Sequence, residues 1–146
     1  MKNNIRIFAL VMGLIFALML ISCAGSKPAA DVKASSSIVP ADVQDFFDQF
    51  KKDVFTRDMK KIGMHYSKNF LKDGANREAF LDKLAGIIYL VTNYVVEVTK
   101  YEVDKNNPNI VVIAGWEDLG ATVVPFVAGY MIIKEDGVWK WYGNQK

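Results

Sequence analysis

Few side chains in this sequence are of a type that does chemistry, and their spacing narrows what that chemistry can be. There is one cysteine, Cys23, and one histidine, His65. A single thiol excludes an intramolecular disulfide framework, and a single imidazole excludes any metal site that draws two from one chain. Asp42, Asp45 and Asp48 fall three apart on an amphipathic stretch, where they read as the solvated face of a helix and not as metal ligands. Asp73, Asp104, Glu135 and Asp136 sit at turns, and the segment Asp104 to Asn109 lacks the central Gly and closing Glu of a calcium loop. Glu97, Glu102, Glu117 and Asp118 remain as strand-associated carboxylates. Of these, Glu97 alternates out of phase with Tyr94, Val96 and Val98, which puts solvent as its default. His65 stands beside Tyr66 at the end of a helical pattern, a good structural place for an imidazole. There is no Ser–His–acid or Cys–His arrangement, no phosphate-binding glycine loop and no zinc spacing. On residue types alone no catalytic residue, metal or cofactor is assigned.

The surroundings of Cys23 say more. Lys2 and Arg6 form a short basic head, followed by fifteen residues, Ile7 to Ile21, with neither a charge nor a strongly polar group. As a helix that run is about 22 Å long, short of the roughly 30 Å of a hydrocarbon core, so it reads as a secretory leader and not as a membrane span. It closes on Leu20-Ile21-Ser22-Cys23, which resembles the lipobox of bacterial lipoproteins. The resemblance implies that the Cys23 thiol takes a diacylglycerol, that residues 1–22 are removed, and that the new amino terminus is acylated. One acyl chain anchors only marginally, whereas two or three hold. Ala24 stands where an aspartate retains some lipoproteins in the inner membrane, so the resemblance points to the periplasmic face of the outer membrane in an organism that has one.

Loss of the leader changes the charge balance. The 18 basic residues lose Lys2 and Arg6, leaving 16 against 16 acids. The isoelectric point of about 8.6 therefore belongs to the precursor, and no basic-surface argument for nucleic acid survives. Residues 23–40, rich in Ala, Ser, Lys and Pro, read as the lipidated cysteine and a tether. Residues 41–146 read as one domain, and the whole sequence, 51% hydrophobic against 23% charged, is not that of a largely disordered chain.

Three helices come first in that domain. Val43, Phe46, Phe47, Phe50 and Val54 make one apolar stripe behind Pro40, with the aspartates early and Lys51 and Lys52 late. Thr56 or Asp58 caps a second, short helix carrying Met59 and Ile62 and ending near Tyr66. Ser67 to Gly74 reads as a connection with Phe70 and Leu71 buried. Asn76 caps a third helix with Phe80, Leu84, Ile87, Ile88 and Val91 on its apolar face. The period then drops to two. Tyr94, Val96 and Val98 share one side, Tyr101 and Val103 switch parity, and a bulge near Thr99 or Lys100 accounts for the switch. Ile110 to Glu117 is the next strand and Ala121 to Lys134 a long third one, bent or at an edge where Pro125 and Gly129 fall. Asp136-Gly137 turns the chain into a last strand, Val138 to Tyr142.

Three helices followed by a four-stranded antiparallel meander are an α+β arrangement. The order of elements, the helix Val43 to Phe55, the segment Asp58 to Ser67 and the ending Asp136 to Gln145 resemble the nuclear transport factor 2-like superfamily, which includes the ketosteroid isomerases and polyketide cyclases. A cystatin-like arrangement is the rival. The resemblance implies a cone in which three helices pack on a curved sheet and one end is left as a pocket or a pairing surface. Tyr66, Tyr94, Trp116, Trp139 and Trp141 are the candidates for lining that pocket, against the plainer reading that they fill the core. Together the two resemblances imply an envelope lipoprotein held to the membrane by its lipid. Its domain would bind a small apolar ligand or a partner, either a second copy of itself or another envelope protein. The alternative is an isomerase or dehydratase in which a strand carboxylate such as Glu97 is turned inward by the bulge.

Overall fold

The computed structural model describes residues 38–146; the expected leader, Cys23 and the expected tether up to residue 37 lie outside the described residues. The chain runs through α1 (Ala41–Thr56), α2 (Met59–Met64), β1 (Tyr66–Lys72), β2 (Ala75–Asn76), α3 (Arg77–Ile87) and a 3-10 turn (Ile88–Leu90). It continues through β3 (Val95–Val103), β4 (Ile110–Asp118), β5 (Val123–Pro125), β6 (Tyr130–Glu135) and β7 (Val138–Gly143). Among the described residues no helix is long and apolar enough to cross a membrane.

The helices form where capping and periodicity place them. All five residues of the α1 stripe are buried. Asp58, not Thr56, caps α2, accepting from the amides of Lys60 and Lys61, and α2 stops at Met64, just before a strand begins at Tyr66. Asn76 accepts from the amide of Ala79 at 3.0 Å and so starts α3. On α3, Phe80, Leu81 and Leu84 pack against the core, followed by Ile88 and Val91, while Ile87 is half out in solvent. The helix gives way to a 3-10 turn at Ile88.

The sheet has seven strands in the order β2-β1-β7-β6-β4-β3, with β5 attached to β4. This corrects the four-stranded antiparallel meander. In place of a connection after Tyr66 the chain forms strand β1, which pairs in parallel with β7, Tyr66 opposite Trp141 and Leu71 opposite Gly143. The long third strand is two, β5 and β6, divided at residues 126–129 beside Pro125 and Gly129. Between β3 and β4 the register slips between Val98 and Lys100, leaving Thr99 as the extra residue. The slip restores parity: Val96, Val98, Tyr101 and Val103 of β3 share one face with Glu117, Gly115, Ile113 and Val111 of β4. That face turns toward α1, where Val111, Ile113, Tyr130, Ile132, Trp139 and Trp141 join the helix stripe in one core.

Candidate functional site

On its inner face β4 presents a carboxylate in phase with Val111 and Ile113, and that carboxylate is Glu117. The hydroxyl of Tyr94, which precedes β3, donates to Glu117 Oε1 in a short hydrogen bond. Burial pushes the pKa of Glu117 up, and the Tyr94 bond and the field of Lys72 reverse only part of that. The same burial, with the nearby carboxylate, drives Tyr66, Tyr94 and Tyr130 well above the ordinary phenol value. At neutral pH all three phenols are therefore hydrogen-bond donors. Lys72, at the end of β1, holds its ammonium 5.5 Å from the Phe80 ring centre and 5.3 Å from that of Tyr130, within the range of a cation–π contact. A carboxyl of raised pKa, phenolic donors and one cation thus share one part of the sheet's inner face. Such a set can bind and orient a polar group on an otherwise apolar molecule, or exchange a proton with it.

The five aromatic candidates part company. Tyr66 and Tyr94 belong to the carboxylate's surroundings. Phe50 joins them, its ring 5.8 Å from Tyr66 and 5.2 Å from Tyr94. Tyr94 also walls a small cleft of about 70 Å³ between α1 and β3, with Gln44, Phe47, Asp48, Lys51, Val95 and Val96. Trp141 is sealed in the core at 1% exposure. Trp139 is buried and its indole N–H donates to Asp42 Oδ2 at 2.8 Å, the same oxygen that accepts from Lys134 Nζ at 2.8 Å. Those two hydrogen bonds hold the Asp42 carboxyl below its ordinary range and clasp the start of α1 to the β6–β7 hairpin. Trp116 stands on the opposite face of β4 from Glu117, across from Glu97.

Glu97 itself is exposed, as its opposite parity to Tyr94, Val96 and Val98 sets by default, and this removes the alternative in which the bulge turns it inward. The extra residue is Thr99, so only residues beyond it change face, and Glu97 precedes it. His65 is engaged elsewhere: its Nε2 lies 2.7 Å from Asp53 Oδ2, and its ring packs on Phe46 and Phe50. The His65 bond holds the Asp53 carboxyl below its usual range. The signal for Glu117 was present in the sequence as an acid at even spacing from Val111 and Ile113. Lys72 carried none, because its neighbours come from β6 and α3.

Three solved structures resemble this arrangement. An NTF-2 like protein of unknown function from Shewanella oneidensis MR-1 superposes with a TM-score of 0.53 at 13% identity, over 70% of this chain and 93% of its own. A second, from Silicibacter pomeroyi DSS-3, gives 0.51 at 11% identity over 70% and 89%. The domain has an NTF2-like fold. Bdellovibrio bacteriovorus Bd1075 gives 0.50 at 13% identity, over 70% of this chain and 37% of that one. No protein-family model matches the sequence, and no curated protein matches it. What the carboxylate of this NTF2-like domain can do therefore rests on its own surroundings.

Glu117 has a measurable signature. Its pKa is raised by burial, so it contributes stability that is full below the unfolded value of about 4.5 and is lost as pH rises through its folded value. Asp42 and Asp53, both depressed, do the opposite: their contribution is present above the unfolded value and lost as pH falls through the folded one. Glu117→Gln keeps an acceptor for Tyr94 and removes the charge. In urea denaturation the variant should gain stability relative to wild type over a pH window that opens at the unfolded value of about 4.5. A constant difference between the two across that window would mean that the Glu117 carboxyl is not buried.

Proposed function

We propose that the chain is an exported lipoprotein, anchored through Cys23 in the cell envelope, on the periplasmic face of an outer membrane where there is one. Its NTF2-like domain binds a small, largely apolar ligand through one polar group and does not turn it over. The observation that carries the binding reading is the Glu117–Tyr94 pair on the inner sheet face. A carboxyl next to a phenol recognises a hydroxyl or carbonyl, and the rings of Phe50, Tyr66 and Tyr130 suit the apolar remainder. The lipobox carries the anchor.

Two measurements test the two halves separately. A palmitate analogue fed to cells should label the wild type and leave Cys23→Ser unlabelled; an unlabelled, freely soluble wild-type product removes the anchor. Native mass spectrometry of detergent-extracted protein should show a co-purifying small molecule whose occupancy falls about tenfold or more in Glu117→Gln, the scale of one lost polar contact. Equal occupancy in the variant removes Glu117 from the binding site.

A second reading is favoured by the same carboxyl. A half-buried acid of raised pKa beside a hydrogen-bond donor is suited to proton transfer of the isomerase or dehydratase kind. It requires that the co-purifying molecule exchange a carbon-bound proton for deuterium in heavy water with wild type and not with Glu117→Gln. Absence of exchange leaves the binding reading alone.

A further inference from the structure

The stretch Leu84 to Val96 contains thirteen residues and no charge, yet much of its middle lies on the surface. In the 3-10 turn that follows α3, residues three apart eclipse, so burying Ile88 and Val91 forces their neighbours outward. Ile87, Tyr89 and Leu90 are 51%, 60% and 55% exposed. A second turn is tied to this one. The amides of Thr92 and Asn93 donate to Leu119 O at 3.1 and 3.3 Å, and Asn93 Nδ2 donates to Asp118 Oδ2 at 3.2 Å. The approach is tight enough that a methyl group on Gly120 would meet Thr92 Oγ1 at 2.1 Å. The α3–β3 turn and the β4–β5 turn are therefore one continuous rim, and the latter leads into Val123, 57% exposed. Tyr94 and Glu117 each stand one residue along the chain from the Asn93–Asp118 contact that ties this rim together.

We infer that this rim docks on a lipid bilayer. An exposed, charge-free cluster of two aliphatic residues and a tyrosine on one turn has the composition of a segment that seats at the headgroup boundary, the tyrosine ring in the interface and the aliphatic side chains below it. The occupant follows from the anchor, on which the inference rests. Seventeen residues separate Cys23 from α1, a reach of at most about 55–60 Å when extended. The first turn of α1 is fixed to Lys134 and Trp139, and Phe50, roughly 12 Å further along the helix, already touches Tyr94. The chain thus suffices to bring the rim onto the bilayer that holds Cys23. Docked in this way, the Glu117–Tyr94 pair lies next to the membrane, and an amphiphile can pass between bilayer and protein without crossing water.

Photo-crosslinking of the full-length protein in its cell membranes tests this. Benzoylphenylalanine placed at Tyr89 should cross-link to phospholipid about tenfold more, or better, than the same group at Val138, a similarly exposed position on the β6–β7 hairpin. Leu90→Asp should reduce the cross-link at position 89 by a similar factor with an unchanged melting curve. A palmitate-labelled protein that gives equal yields at the two positions, or that cross-links at position 89 to a protein, overturns the docking and leaves the anchor standing. Loss of palmitate label together with loss of lipid cross-links overturns both. Lipid cross-links at position 89 without the label keep the docking and remove the anchor.

Discussion

Replacing Trp141 with alanine should cost the domain about 3–5 kcal/mol of stability, measured as a fall in the urea midpoint at constant slope. The indole is surrounded by five aromatic rings: Phe46 at 5.2 Å, Phe47 at 5.5 Å, Phe50 and Tyr130 at 5.7 Å, and Phe126 at 6.0 Å. Its backbone amide bonds the carbonyl of His65 at 2.8 Å, which the substitution leaves in place, so the loss is that of the ring. Against a net stability of about 5–15 kcal/mol for a domain, that is a large share. Trp141→Phe supplies the contrast. The indole Nε1 has no hydrogen-bond partner among the described residues, and removing an unsatisfied buried donor recovers part of what the smaller ring loses. A Trp141→Ala protein that unfolds at nearly the wild-type midpoint would mean that the ring lines an open hollow and does not fill the core.

Gly115→Ala should be comparably damaging through a different cause. Gly115 has φ +145°, and a β-carbon there would stand 1.8 Å from the carbonyl oxygen of Glu97 on the paired strand. Neither atom belongs to a side chain that can swing away. Overpacking and backbone strain each cost about 1–3 kcal/mol, so a loss of roughly 2–6 kcal/mol is expected from the two together. Gly86→Ala is the control, since a methyl group there meets nothing within 4 Å and alanine is the better helix former by about 0.5–1 kcal/mol. If the two alanine variants melt together, the close approach of β3 and β4 at the bulge is not what fixes their register.

Local pattern carried much of the fold. The α1 stripe is buried as its spacing requires, Asn76 caps α3, and the parity switch between Val98 and Tyr101 reports the extra residue at Thr99. What escaped is what depends on distant partners. The burial of β1 does not alternate, and its register against β7 shifts between Tyr66 and Leu71, so a strand reads locally as a connection. The break between β5 and β6 was visible only as a bend at Pro125 and Gly129. At the site, Glu117 was legible as an acid in phase with apolar neighbours, whereas an inward turn of Glu97 requires a bulge on the other side of it. Lys72 over Tyr130, and Lys134 and Trp139 on Asp42, join residues far apart in sequence and leave no local mark.

The position of β7 has a consequence for when the domain can form. This strand lies in the middle of the sheet, with β1 on one side and β6 on the other, yet it is synthesised after both. Until residues 138–143 emerge from the ribosome, the β2–β1 ribbon and the β3-to-β6 portion have no shared edge along which to join. Such late, long-range closure is slow. Joining of the two portions therefore waits for the strand that lies between them.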